Sequence, residues 1–253
     1  METVNVRRRA LEGKPSYGLV MSMTDPFVLE LAYHAGFHFV RIDCEHVFYD
    51  NASLRTLFDA ARNIGIAAQI RIPDLNRIDA LLALEPAGIC IPDMDSAEKA
   101  AQVIDAIKFP PVGKRSCSVT RRVRLGEISR AEYAAIGNER LNLIIQIESR
   151  EGLDHIDEIL SLEGIDMVAS GRSDLAESLG VPSERDNPIV MEAENLIIRK
   201  AQEYGKLLTL SVSNRERLQE LYEKGVYCYS IGRDEELLNK VLKSQIKKMS
   251  VSG

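Results

Sequence analysis

Short apolar runs rich in β-branched residues alternate along the chain with longer segments whose apolar positions recur every three to four residues. Eight runs read as strands: Tyr17–Met21, Phe39–Asp43, Ala67–Arg71, Gly88–Pro92, Leu143–Glu148, Met167–Ser170, Leu207–Val212 and Tyr227–Gly232. Between them the spacing predicts amphipathic helices over Pro26–Ala35, Asn51–Ile64, Ser96–Lys108, Leu153–Leu160, Val190–Tyr204 and Asn214–Lys224. Gly36, Gly65 and Gly205 stand just past the last apolar position of three of these, where a chain leaving a helix turns left-handed. Strands alternating with helices imply a parallel sheet, and eight repeats in 253 residues imply closure. The expected fold class is therefore α/β, a single (β/α)8 TIM barrel in one domain. A doubly wound open sheet is the alternative, but its usual Gly-rich first turn is absent.

The longest unassigned stretch, Phe109–Gly137, lies between the fourth and fifth strands. It holds Pro110-Pro111-Val112-Gly113-Lys114-Arg115 and the basic run Arg121-Arg122-Val123-Arg124. It is expected on the side of the strand C-terminal ends, as a lid or subunit contact. The basic run reads either as a solvated helix face or as an attractor of an acidic substrate.

Composition narrows the class. The chain is 45% hydrophobic and 28% charged, as a globular protein is, and its net charge of −6 argues against a nucleic-acid binder. No apolar run is long enough to span a bilayer, and the basic N-terminus lacks an apolar stretch behind it, so a cytoplasmic protein is expected. Cys44, Cys90, Cys117 and Cys228 are far apart, without a C-x-x-C pair, and read as free, mostly buried thiols.

In such a barrel catalytic groups stand where strands end and loops begin. The second strand ends in Asp43-Cys44-Glu45-His46, the third in Gln69-Ile70-Arg71, the fifth in Gln146-Ile147-Glu148, and the sixth runs into Gly171-Arg172-Ser173-Asp174. Glu148 and Asp174 close adjacent strands, about 5 Å apart in backbone. Two carboxylates so close repel, and a shared divalent cation relieves them; oxygen-only ligands favour Mg2+ or Mn2+ over zinc. Otherwise the two are surface acids capping the helices that follow. Arg71, at the end of an apolar strand, needs a partner, either a substrate carboxylate or an internal one such as Glu45. His46 stands three residues after Asp43, and an Asp held against an imidazole makes a general base. His34, His38 and His155 read as structural. No strand end carries a lysine, so a Schiff base is not expected and a metal must stabilise any enolate.

At these residues the chain resembles the HpcH/HpaI aldolases, metal-dependent barrel enzymes acting on pyruvate. The resemblance runs in order through Ala35-Gly36-Phe37, Asp43-Cys44-Glu45-His46, Arg71, Gly88-Ile89-Cys90-Ile91-Pro92, Ser96-Ala97-Glu98-Lys99-Ala100 and Pro110–Arg115. It continues through Gln146-Ile147-Glu148, Gly171–Leu175 with Ser178-Leu179-Gly180, and Ile231-Gly232-Arg233-Asp234. It implies that Glu148 and Asp174 bind the metal, Mg2+, Mn2+ or Co2+, and that a 2-oxo acid chelates it. Arg71 would meet the carboxylate and enolate oxygen, and His46, oriented by Asp43, would be the acid–base. Gln146 would hold substrate or water, and the amides of Ser173 and Asp174 would contact the substrate carboxylate. A homohexamer is implied, with the last helix, Glu235–Lys248, exchanged between subunits. The chain departs from the family where Arg172 replaces a small residue or proline, where Ala83 and Glu85 replace an acid and a glycine, and where Ile72 separates Arg71 from Pro73.

The expected activity is thus a class II aldolase joining pyruvate to an aldehyde, with 4-hydroxy-2-oxo acids such as 4-hydroxy-2-oxoheptanedioate as substrates. Succinic semialdehyde, glyceraldehyde-type sugars and tartronate semialdehyde stay open as the aldehyde. The rivals are an acyl-CoA lyase of the citramalyl-CoA type and a non-catalytic barrel that binds keto acids.

Overall fold

The computed structural model describes residues 3–116, 120–182 and 187–250. Eight parallel strands close into a barrel in chain order: β1 (Ser16–Met21), β2 (Phe39–Asp43), β3 (Ala67–Arg71), β4 (Gly88–Ile91), β5 (Asn142–Ile147), β6 (Met167–Ser170), β7 (Leu207–Ser211) and β8 (Cys228–Arg233). Each agrees with its sequence-predicted run to within one residue at either end. Helix Asn51–Ile64 also matches its prediction. Asp50 caps it by accepting from the Ser53 amide at 2.7 Å, and Gly65 ends it at φ 84°.

Alternation sorts the strand side chains into two cores. Those pointing outward, such as Val40, Ile42, Ile70, Ile89, Leu143, Ile145 and Val168, pack beneath the helices. Those pointing inward, including Phe39, Ala67, Cys90, Ile144, Met167 and Cys228, fill the barrel, and Val6 joins them from the N-terminal helix Val6–Leu11. Close packing there depends on Gly18, which pairs with Phe39 across β1 and β2; a Cβ at Gly18 would stand 2.0 Å from the Phe39 ring.

Climbing the interior two residues at a time, the chain turns from apolar to ionic. On β2 the inward series is Phe39, Arg41, Asp43; on β3 it is Ala67, Gln69, Arg71, and parallel register sets each beside its counterpart. On β5 the series Ile144, Gln146 leads to Glu148 just past the strand. One end of the barrel is therefore greasy and the other charged.

The structure differs from the sequence reading in three places. Leu153–Leu160 is not one helix but spans the end of Arg150–Asp154 and the whole of Ile156–Leu160, parted at His155, whose Nδ1 lies 3.0 Å from the Asp95 carbonyl oxygen. The stretch Phe109–Gly137 contains helix Arg121–Arg124 and most of helix Arg130–Arg140. It also lies at the opposite end of the barrel from the one expected. Helix Ala97–Ile107 carries the chain back down first, so Arg115, Arg121 and Arg122 border a cavity with Ala87 and Asn142, which lead into β4 and β5. The basic run therefore cannot draw substrate into the mouth. Cys44 is partly buried and Cys90 and Cys228 fully, all three free, whereas Cys117 lies outside the described residues.

A buried ion pair pins this lower end. Lys108, 2% exposed, reaches Asp166 at 2.5 Å and donates to the carbonyls of Asn138 and Leu141. Asp166 also accepts from the Leu143 amide and pairs with Arg7. Breaking one side of such a pair leaves a charge buried, so Lys108→Ala should cost about 3–5 kcal/mol in urea unfolding. A loss below about 1 kcal/mol would show that Arg7 alone relieves Asp166.

Candidate active site at the barrel mouth

At the charged end a cavity of about 420 Å3 opens between His46, Arg71, Gln146, Arg172, Ser173 and Asp174, with Arg41 in its floor and Arg233 in its wall. Asp43 and Glu148 lie just beneath, each in contact with a lining residue. The strand ends singled out in the sequence therefore meet in one place.

Asp43 is fully buried and holds the site's ionic framework. Arg71 donates to both its carboxylate oxygens, Nε to Oδ1 at 3.0 Å and Nη2 to Oδ2 at 2.7 Å. Arg233 donates to Oδ2 at 2.8 Å and to the Ser22 hydroxyl. Burial opposes ionisation of Asp43, but the two guanidinium groups outweigh it and hold the carboxyl at about 2. Arg71 completes its fork on Glu45 at 2.9 Å, so the internal partner foreseen for it is present, joined by Asp43.

This framework corrects one expectation. Asp43 meets His46 through the backbone amide, Oδ1 lying 3.5 Å from the His46 nitrogen. The imidazole is turned away, half exposed, with Nε2 3.6 Å from Glu45 Oε2. A bidentate guanidinium satisfies a buried carboxylate better than an imidazole does, and Arg71 stands directly beside Asp43 in the strand register.

Glu148 is 3% exposed, and its carboxylate accepts from the Asp93 amide at 2.9 Å and from the Gln146 side chain. Asp93 turns into left-handed backbone, φ 51°, to present that amide. No ion pair neutralises Glu148 among the described residues. Burial pushes its carboxyl up to about 7, with the charges of Asp174 and Asp93 adding to the effect against the two donors. Its Oε2 presses on Gly171, where a Cβ would stand 1.8 Å away. Three residues on, Asp174 lies exposed in the first turn of helix Arg172–Ser178.

Neither acid is a surface cap. Ser149 caps the helix after Glu148, and the helix bearing Asp174 starts at Gly171 without a side-chain cap. A buried carboxylate lacking a cation, near enough to Asp174 to feel its charge, with oxygen donors about it, suits Mg2+ or Mn2+. No three His, Cys, Asp or Glu side chains form a ready cage among the described residues. A cation held by Glu148 and Asp174 would draw its other ligands from water and substrate, as an open catalytic site requires.

One further cation is not evident from the sequence reading. Arg41, 7% exposed, donates to Gln69 and Thr209, both neutral. Its place between Phe39 and Asp43 on an inward-facing series was the available signal. Arg172, the extra cation that the departure from the family places at the site, sends Nη2 to within 2.9 Å of the Met191 sulfur, and its Nε is buried without a hydrogen-bond partner among the described residues. The mouth thus carries two guanidinium groups with no carboxylate partner among the described residues.

A closed (β/α)8 barrel bearing paired carboxylates, arginines and a histidine at the C-terminal ends of its strands is the architecture of a barrel lyase. The chain belongs to the HpcH/HpaI aldolase/citrate lyase family, whose model matches residues 16–240. It is a carbon–carbon lyase, and its curated relatives are named aldolases. The 2-keto-3-deoxy-L-rhamnonate aldolase of Escherichia coli K12 is 31% identical over 244 residues, 95% of this chain and 91% of that protein. The enzyme of the same name from Klebsiella pneumoniae is 30% identical over 240 residues, 93% and 89% of the two chains. Among solved structures, the citrate synthase SbnG superposes with a TM-score of 0.89 at 26% identity, covering 97% of each chain. An HpcH/HpaI aldolase from Desulfitobacterium hafniense DCB-2 shares the fold, with a TM-score of 0.91 at 24% identity over 99% of each chain.

The framework sets the acid stability. The Asp43 carboxyl is lower folded than its ordinary 3.8, so its contribution is complete above about pH 4 and is lost as pH falls through about 2. That difference amounts to about 2 kcal/mol. Asp43→Asn should make the loss of stability between pH 4 and 2 shallower by about that amount, read from urea unfolding at stepped pH. An unchanged slope would show that Arg71 and Arg233 do not favour the ionised carboxyl.

Proposed function

We propose that this enzyme is a divalent-cation-dependent aldolase that cleaves 4-hydroxy-2-oxo acids to pyruvate and an aldehyde, and runs the reverse addition. The observation that carries the reading is the Glu148 carboxylate, buried without a counter-charge beside Asp174 at the mouth of the barrel. A cation bound there supplies charge where the 2-oxo oxygen becomes enolate-like. The chain's own residues do the rest. Gln146 and the amides at the start of helix Arg172–Ser178 orient the substrate carboxylate and 2-oxo group. Arg71, fixed in place by Asp43 and Glu45, presents its remaining edge to the cavity. His46 takes the proton of the C4 hydroxyl as the C3–C4 bond breaks, and returns a proton to C3 of the pyruvate unit. Its half-exposed ring, with Glu45 at hand, supports that role better than the expected Asp43 contact does.

Glu148→Gln should remove at least 100-fold of cation-dependent pyruvate release while the circular dichroism stays native, and Mn2+ should raise the melting temperature of the parent but not of this variant. Full turnover of either protein in EDTA would sink the cation assignment. His46→Ala should lose a comparable factor in cleavage while keeping the Mn2+ response. Pyruvate release from citramalyl-CoA at rates matching the hydroxy-oxo acids would move the enzyme to the thioester branch of the family.

The unpaired guanidinium groups of Arg41 and Arg172 favour a substrate with a second acid at its far end, as in 4-hydroxy-2-oxoheptanedioate. Arg172→Ala should therefore raise KM about 10- to 100-fold for an acid-bearing aldehyde such as succinic semialdehyde in the addition assay. Glyceraldehyde should change less than about threefold. Equal losses for both aldehydes would make Arg172 structural.

The last helix, Asp234–Met249, leaves Leu238, Val241, Leu242 and Ile246 exposed along it. That uncovered apolar face supports the proposal that it packs on a neighbouring subunit of a homohexamer. No helix among the described residues is long and apolar enough to cross a membrane.

A further inference from the structure

A second cavity, of about 360 Å3, lies at the opposite end of the barrel, walled by Ala87 and Asn142 at the feet of β4 and β5 and by Val4 and Val6. Five arginines line it, Arg62, Arg115, Arg121, Arg122 and Arg140, against two acids, Glu85 and Glu127. In a chain of net charge −6 this concentration of positive charge is costly unless something offsets it.

The protein itself offsets little of it. Arg62 pairs with Asp59 and Arg122 with Glu127. Arg115, Arg121 and Arg140 have no ion pair among the described residues. Arg115 is the decisive group. It is 6% exposed, its guanidinium lies 4.4 Å over the Phe109 ring, and its Nε has no hydrogen-bond partner among the described residues. Arg122 Nη1 is likewise buried and unpartnered. Burying a guanidinium nitrogen without an acceptor costs on the order of 1–3 kcal/mol. The acid that could have answered it does not: among the described residues Glu85 Oε1 is itself buried without a hydrogen-bond partner, on a residue turned into left-handed backbone at φ 56°. Among the described residues the cavity thus offers unmet donors and two unmet acceptors, Glu85 Oε1 and the side-chain oxygen of Asn142.

We infer that this cavity binds a small hydroxylated polyanion, a sugar phosphate or a hydroxylated polycarboxylate, at a site separate from the catalytic mouth. The anionic group sits on Arg115 and Arg122 while a ligand hydroxyl donates to Glu85. A volume of about 360 Å3 is within the range for small-molecule sites. The inference is independent of the proposed aldol reaction, because the cavity shares no lining residue with the mouth.

Isothermal titration calorimetry of the full-length protein at fixed ionic strength, with ribose 5-phosphate, citrate and inorganic phosphate as probes, tests it. At least one hydroxylated probe should bind ten times or more tighter than inorganic phosphate. Arg122→Gln, at a partly exposed position, and Arg115→Met should each weaken it at least tenfold, and Glu85→Gln should weaken it while sparing inorganic phosphate. If Arg115→Met does not fold, Arg122→Gln and Glu85→Gln decide alone. The mouth variant Arg172→Ala should bind the probe within twofold of the parent. Ribose 5-phosphate or citrate alone responding identifies the phosphate or carboxylate source. Binding of neither, or binding lost in Arg172→Ala but retained in Arg122→Gln, overturns the inference.

Discussion

One buried carboxylate organises the mouth of this barrel. Asp43 accepts from Arg71 on the neighbouring strand and from Arg233 on the strand that closes the sheet, so a single acid ties β2, β3 and β8 together. The same carboxylate accepts the amides of Glu45 and His46, which sets the course of the loop that carries the histidine. Three charge-assisted hydrogen bonds from two guanidinium groups to a fully buried carboxylate are strong enough to keep the acid ionised against its burial. Arg71 and Arg233 are thereby immobilised, and a fixed guanidinium loses little entropy on meeting a ligand.

The barrel was legible in the sequence because strand alternation and helix periodicity are local signals. So was the ring of ionisable residues, since each inward series ends at the mouth. Contacts between distant elements were not. Arg233 lies 190 residues from Asp43, and nothing local announces their pairing. Closeness in sequence misled in the other direction: His46 stands near Asp43, yet its ring is turned toward Glu45. Helix Arg130–Arg140 was missed although its start was written plainly, Ser129 and Glu132 forming a reciprocal capping box. Its weak apolar face and internal Gly137 hid it. The long segment before it stands at the opposite end from the one its place after β4 suggests, because helix Ala97–Ile107 first returns the chain down the barrel.

The two ends of the molecule use arginine in contrasting ways. At the mouth, Arg71 and Arg233 are spent on an internal acid, and Arg41 and Arg172 meet no carboxylate among the described residues. At the foot, the guanidinium groups surround a hollow where the buried oxygens Glu85 Oε1 and Asn142 Oδ1 accept no hydrogen bond among the described residues. A chain with excess negative charge has in both places gathered positive charge where the fold leaves space.

The contact between Gly171 and the Glu148 carboxylate separates what can vary from what cannot. With Oε2 against its Cα hydrogens, position 171 has no room for any side chain, so drift there would displace the acid itself. Position 172 sits one peptide further along, already projecting into open volume. Adjacent positions thus answer to different constraints, the first closed by the oxygen of a neighbouring carboxylate and the second bordering a hollow that tolerates a change of size or charge.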